Sequence, residues 1–374
     1  MNRTIIDVHV LQTVPPSNLN RDDTGSPKTA VYGGVRRARV SSQAWKRAVR
    51  LAFADLLDRS QLGERTKRVG ESLAIRIRAL DPDLDADTAS ALAANALAAA
   101  GLAKAEKKKG ETKDAESSYL LFLSHRQLDT IAAAVVEAAR AGTAVDKATV
   151  KSLANTEHSV DIAMFGRMLA DMPDINVDAA CQVAHAISVH AVDTEFDYFT
   201  AVDDRKHDAA ETGAGMIGTI EFNSSTLYRY ATINVDALYK TLGDPVATRC
   251  AVEAFLTAFA RSVPTGKQNT FAHRTLPDAV LVRIRDTQPV NLVGAFETPI
   301  KETDTAGRVR LAAAALAKHT RDVEAAYGEQ PLHSWVTQVG EHTAVLADLG
   351  RSVPFRDLVS EVGEQVGAAL GQPA

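Results

Sequence analysis

The sequence predicts an α+β fold, and three observations support that reading. Once two segments are set aside, the elements run strand, helix, strand, strand, helix, strand, the order of a ferredoxin-like or RRM-type sheet. An Ala-rich and Leu-rich stretch at 60–179 interrupts that order with helical patterning. A polar, Gly-bearing stretch at 195–222 runs into the strand-like TIEF and has the form of a long hairpin.

Each element has its own signal. Thr4 to Thr13 alternates Ile6, Val8 and Val10 with Asp7 and His9 and predicts a strand stopped by Pro15-Pro16. Ser41 or Ser42 can cap a helix reaching about Arg59, with Trp45, Ala48, Val49, Ala52, Phe53 and Leu56 at core-facing spacing. A strand is expected from Cys181, followed by the aromatic turn that opens the hairpin. Asp244 to Arg261 places Val252, Phe255, Leu256 and Phe259 on one helical face and ends before Pro264. Strands are expected at Ala279–Arg285 and Val290–Ala295, with helices at Thr303 to Ala326 and Phe355 to Leu370.

Between the first strand and the first helix lies the chemical focus of the chain. Residues 17–50 hold eight basic residues, Arg21, Lys28, Arg36, Arg37, Arg39, Lys46, Arg47 and Arg50, against Asp22 and Asp23. That local charge of +6 sits in a chain of net charge −5, so it is the electrostatic footprint of a polyanion partner. Gln43, Lys46, Arg47 and Arg50 group on the polar face of the first helix. A phosphate at its start would meet backbone N–H groups, the helix dipole and the hydroxyl of Ser41 together. Gly33 and Gly34 are expected to let a nucleic-acid backbone approach closely, and Lys267 in PTGKQN adds a further phosphate ligand.

LNRDD followed by K-x-A-x-Y-G-G-x-x-R-x-R-V-S-S-Q-x-W-K-R-A-x-R resembles the amino-terminal signature of the CasC family. Members of that family form the repeated backbone of the type I-E CRISPR surveillance complex, Cascade. MFGRM around Met164 and FDYFTAVDD around Phe199 resemble two further family blocks. The resemblance implies a modified RRM palm at 1–59 and 180–374, helical fingers at 60–179 and a thumb hairpin at 195–222. It implies that Met164 wedges against guide RNA, that Arg167 reaches phosphate, and that Phe199 and Thr200 belong to the RNA-shaping thumb. The implied partners are guide RNA, target DNA paired to it, neighbouring copies of the chain, and the large, small and end-capping subunits. By the same resemblance no cofactor, metal or catalytic residue is expected. Lys104, Lys107, Lys108 and Lys109 alternate with acids and read as an exposed loop, to which the resemblance adds a DNA-facing role.

Several other classes find no support. Gly213 to Gly218 satisfies G-x-G-x-x-G but leads into a β-like segment, so the dinucleotide reading fails on context. His185 and His190 are wrongly spaced for H-E-x-x-H, Cys181 and Cys250 form no C-x-x-C pair, and the RNP aromatic signature is absent. No apolar run is long enough to span a bilayer and no signal pattern opens the chain, so a cytoplasmic protein is expected. Two alternatives stay open: a metal-dependent RNA endonuclease using Asp22 and Asp23, and a general RNA-binding structural protein.

Overall fold

The computed structural model describes residues 3–102, 120–170, 172–201 and 216–371. Twelve strands are found among them: β1 (Ile5–Ser17), β2 (Thr29–Tyr32), β3 (Val35–Val40), β4 (Gly63–Thr66), β5 (Leu121–Ser124), β6 (Cys181–Val183), β7 (Ala186–Ser188), β8 (Glu195–Ala201), β9 (Met216–Asn234), β10 (Ala279–Arg285), β11 (His333–Gln338) and β12 (Arg351–Ser352). The chain divides into two compact units. One comprises 1–52, 183–233 and 255–369; the other comprises 53–182, 234–254 and 370–374.

The first unit is built on a mixed sheet of order β12-β11-β10-β1-β9-β7-β3-β2, with β6 and β8 also pairing with β9. β1 lies inside it with both faces covered, which is why Ile5, Ile6, Val8, Val10 and Leu11 are all buried rather than alternating. The strand continues through Pro15-Pro16 to Ser17 instead of stopping. Its pairing with β10 ends at Leu11↔Ala279, so the prolines fall where no ladder donor is needed on that side. Buried ionic groups tie the middle of the sheet. Asp7 accepts from Tyr230 Oη at 2.7 Å, from Val290 N at 3.1 Å and from Arg285 Nε at 3.1 Å. One face packs Leu281, Phe296, Val336 and Leu346 beneath the helix Arg308–Tyr327, which contributes Leu316.

The β2–β3 hairpin depends on its two glycines. Tyr32 pairs with Val35, which leaves Gly33 and Gly34 as a two-residue loop with φ of +60° and +77°, the geometry of a type I′ turn. A Cβ on Gly33 would lie 1.6 Å from Glu297 O, so this glycine admits a neighbouring loop of the protein itself. For Gly33 this role replaces the expectation of a path for nucleic acid, whereas Gly34 has open space around it. Helix α1 (Ser42–Ala52) ends earlier than expected and tightens into a 3-10 turn over Phe53–Asp55, which leaves Leu56 exposed. The segment expected as a strand at Val290–Ala295 is a 3-10 turn over Leu292–Phe296. Asn291 caps it by accepting from Val293 N, and Leu292 and Phe296 point into the core.

The second unit is mainly helical, with β4 and β5 as a small antiparallel pair. In the helix Ala86–Ala100, Ala89, Ala93, Ala96 and Ala100 are buried, which explains the alanine content as close helix packing. Ser124 and Gln127 form a capping box at the start of the helix His125–Arg140. Among the described residues no helix is long and apolar enough to cross a membrane.

Candidate nucleic-acid interface

The basic segment folds into a braced surface of the first unit. Loop 18–28 is closed by Lys28 N donating to Asn20 O at 2.9 Å, and Arg39 N donates to Lys28 O at 2.9 Å to join it to β3. Asn18, buried, donates from Nδ2 to Gly25 O and to Glu221 O, so the loop is anchored at its base and to β9. Asn20 Oδ1 accepts from Ser41 N at 2.9 Å and Ser41 Oγ accepts from Ala44 N at 3.3 Å, which sets the first turn of α1 beside the loop. Gly266 packs so closely on Asn18 and Leu19 that a Cβ would lie 2.4 Å from Leu19 O. That packing brings Lys267 to the same surface.

Helix α1 is held from beneath. Trp45 and Val49 are fully buried, and the guanidinium of Arg229 stacks 3.7 Å from the Trp45 ring centroid and 4.4 Å from that of Phe259. Arg229 also donates to Gln12 Oε1 and to Phe259 O. Burial pushes its pKa down to about 9, so it stays charged at neutral pH.

On this framework Arg21, Arg36, Gln43 and Arg47 are exposed, while Lys28, Arg39, Lys46, Arg50 and Lys267 are half-buried. Arg39 donates from Nε to Thr29 O at 3.0 Å and lies 3.2 Å from His185 Nδ1. The His185 pKa is lowered by burial, by Arg39 and by Lys28, which favours a neutral ring accepting from Arg39. In the sequence His185 stood out only as a failed metal motif.

Other expected contacts do not reach the surface. Arg37 is 0% exposed, and its guanidinium donates to Tyr32 O, Ser188 O, Phe296 O and Glu297 O at 2.8–3.2 Å. Strand alternation turns it inward between the outward Arg36 and the half-buried Arg39, so it serves the fold and cannot reach phosphate. Arg167 is likewise buried and donates to Ile175 O, Phe122 O and Ala154 O, its pKa lowered to about 10 by burial. Met164 is fully buried in the second unit and has no free face for RNA. Ser41 is buried as the brace of α1.

Phe199 lies across Gly218 on the paired strand, where a Cβ would come within 2.4 Å of its ring, so it covers a glycine rather than offering a bare platform. Phe196 and Tyr198, two residues apart on the other face of β8, are the exposed rings. The side chain of Thr200 and residues 202–215, including most of the G-x-G-x-x-G match, lie outside the described residues, as do Lys104, Lys107, Lys108 and Lys109. The described part of that match, Met216 to Gly218, belongs to β9.

The paired acids are arranged as a loop brace. Asp22 Oδ1 accepts from Thr24 N, Thr24 Oγ1 and Ser26 N at 2.7–3.0 Å, and these hydrogen bonds lower its pKa. Asp23 is exposed beside it. Among the described residues no group of three or more His, Cys, Asp or Glu side chains is placed to hold a metal ion.

A niche missed in the sequence opens within this surface. Ser17, Leu19, Asn20, Pro27, Lys28, Ala38, Arg39, Val40, Asn223 and Ser225 line it. The only sequence hint was Asn20 within LNRDD, because Asn223 and Ser225 arrive from β9, far along the chain.

Comparison with known proteins agrees with this assembly of features. Residues 6–361 match the family described as CT1975-like protein. One solved chain, from a CRISPR RNA-guided surveillance complex described as pre-nicking, is 36% identical with a TM-score of 0.86, covering 97% of this chain and 100% of its own. Another, from a CRISPR RNA-guided surveillance complex, is 31% identical with a TM-score of 0.76, covering 96% and 99%. Comparison with curated proteins gave no match. With a family match spanning nearly the whole chain and full-length structural counterparts at these identities, the protein belongs to the CT1975-like family, the CasC-type proteins of CRISPR surveillance complexes.

Proposed function

We propose that this chain is a non-catalytic backbone subunit of a type I-E Cascade complex. It binds guide RNA through phosphates, repeats along the spacer beside copies of itself and the other Cascade subunits, and leaves bases free to pair with target DNA. The observation that carries this reading is the end-to-end correspondence with a chain of an RNA-guided surveillance complex, on a surface where eight cations surround loop 18–28 and α1. Arg21, Lys28, Arg36, Arg39, Lys46, Arg47, Arg50 and Lys267, with Gln43, are the phosphate-facing set. Lys and Arg neutralise phosphates without reading base edges, so any guide sequence is accepted and specificity passes to base pairing.

The strand order β10-β1-β9-β7 supports a ferredoxin-like palm, since these strands flank α1 and the helix Pro245–Arg261 in the sequence order of that motif. The hairpin β8–β9 supports the thumb assignment, and the helical segment the fingers. Asp22 already accepts three hydrogen bonds within its own loop, which favours a structural over a catalytic role. Sequencing the RNA that co-purifies with the complex tests the reading: repeat-derived handles flanking varied spacers are expected, and a random sample of cellular RNA refutes it.

A further inference from the structure

The guanidinium of Arg39 is held from two sides. Its Nε donates to Thr29 O at 3.0 Å, and its Nη1 lies 3.2 Å from His185 Nδ1. A guanidinium has five N–H groups, so with two engaged three remain, and the side chain lines the same opening as Lys28. Phosphate oxygens only accept, so donors left over at such an opening suit a phosphate.

His185 owes its place to the backbone around it. It stands between β6 and β7, where Ala184 N donates to Tyr230 O at 2.9 Å and Ala186 pairs with Val40, the residue after Arg39. The ring itself is exposed, so core packing does not account for it. An arginine cannot accept a hydrogen bond, so the nitrogen facing Nη1 presents its lone pair and the ring proton sits on Nε2. Partial burial, then Arg39 and Lys28, lower the pKa of the ring and favour this neutral form.

We infer that His185 is a positioning residue of the RNA surface: its neutral ring holds the Arg39 guanidinium toward a bound phosphate without touching the strand itself. This inference rests on the proposed RNA-binding function and adds a regulating group to it. A protonated ring has no lone pair for Arg39 and repels both Arg39, on β3, and Lys28, in loop 18–28, the two charged groups that act on it. Acid therefore frees Arg39 and weakens the grip. A ring that met phosphate directly would do the opposite, because its added charge would tighten binding. Holding the side chain in advance spares the rotamer freedom that a loose arginine loses on binding, an effect of about fivefold on affinity.

The test is a double-mutant cycle of His185→Ala and Arg39→Ala, read by fluorescence anisotropy of the full chain on oligouridine. His185→Ala is expected to weaken binding about fivefold, and to cost nothing further once Arg39 is gone. His185→Asn, whose amide oxygen can accept from Arg39, should restore most of that loss; His185→Phe, which keeps a ring able to stack on a base, should not. Between about pH 7.5 and about pH 5 the affinity of the unaltered chain should fall relative to that of the Asn variant, which has nothing to titrate at this position. Thermal melting establishes that each variant is folded. Unchanged binding by His185→Ala, additive losses in the cycle, rescue by Phe rather than Asn, or a relative affinity that holds or rises in acid overturns the inference and leaves the backbone function standing. Failure of the unaltered chain to bind RNA overturns both.

Discussion

Arg36 and Arg37 are adjacent, chemically identical and placed by the structure in opposite roles. Replacing Arg37 with Ala removes four charge-assisted hydrogen bonds to the carbonyls of Tyr32, Ser188, Phe296 and Glu297 and leaves those oxygens buried. Hydrogen bonds to charged groups contribute about 1.5–3 kcal/mol each, but here they are not additive, and removing the guanidinium also relieves its own desolvation. A net loss of about 3–4 kcal/mol is expected, in the range found when a buried ionic network loses one partner. For a unit of this size that lowers the melting temperature by roughly 10 °C. Arg36→Ala should melt as the unaltered chain does, yet bind RNA more weakly, with the log–log salt slope shallower by about 0.7 for each single-strand phosphate that is no longer neutralised. Differential scanning calorimetry and anisotropy titrations at several salt concentrations read both quantities. An Arg37→Ala chain that melts normally but no longer binds RNA tightly would refute the reasoning, because it would mean the inward side chain is a binding group after all.

Other perturbations have equally definite outcomes. Lys46→Ala with Arg50→Ala should weaken binding to unrelated RNA sequences to a similar degree, measured by competition between two guides; a loss confined to one guide contradicts phosphate recognition. Gly33→Ala forces a Cβ into Glu297 O and should destabilise the chain by more than about 2 kcal/mol, whereas Gly34→Ala, with open space around it, bears only the left-handed backbone strain of about 1 kcal/mol. Comparative melting of the two variants distinguishes them. His190 and His158 both have pKa values lowered to about 4, chiefly by burial, with Arg308 and Arg167 respectively adding to the shift. Their folded-state values lie below the 6.5 of an exposed imidazole, so protonation favours the unfolded chain; this stability is fully present above pH 6.5 and is lost as the pH falls toward 4. The loss should reach about 2–3 kcal/mol per histidine. Urea unfolding across that window checks it, and His190→Gln should flatten the slope.

The sequence made β1, α1 and the basic segment legible because each has a dense local signal: an apolar run, a capped amphipathic repeat, a charge cluster. No strand is expected from the sequence at Val35–Val40, so the opposite facing of Arg36 and Arg37 comes only with β3, and its pairing with β7 and the position of Glu297 decide which one is swallowed. The surface roles of Arg167 and Met164 rest on the family resemblance alone; Met164 is fully buried, and Arg167 is held by carbonyls of Phe122 and Ala154 that no local pattern links to it. The Ser17–Asn223–Ser225 niche is of the same kind, since it exists only because β1 and β9 are neighbours. What was unreadable was thus the long-range pairing that places some cations inside the protein and leaves others outside.

The stacking of Trp45 on Arg229 has a consequence for any future alteration of this protein. The surface that meets solvent on α1 is seated on a charged plug one layer down, so a substitution at Arg229, Gln12 or Phe259 would tilt or loosen Lys46 and Arg50 together. Variants selected for weaker or stronger grip will therefore turn up at positions that never touch a nucleotide, and screens confined to outward-facing residues will miss them.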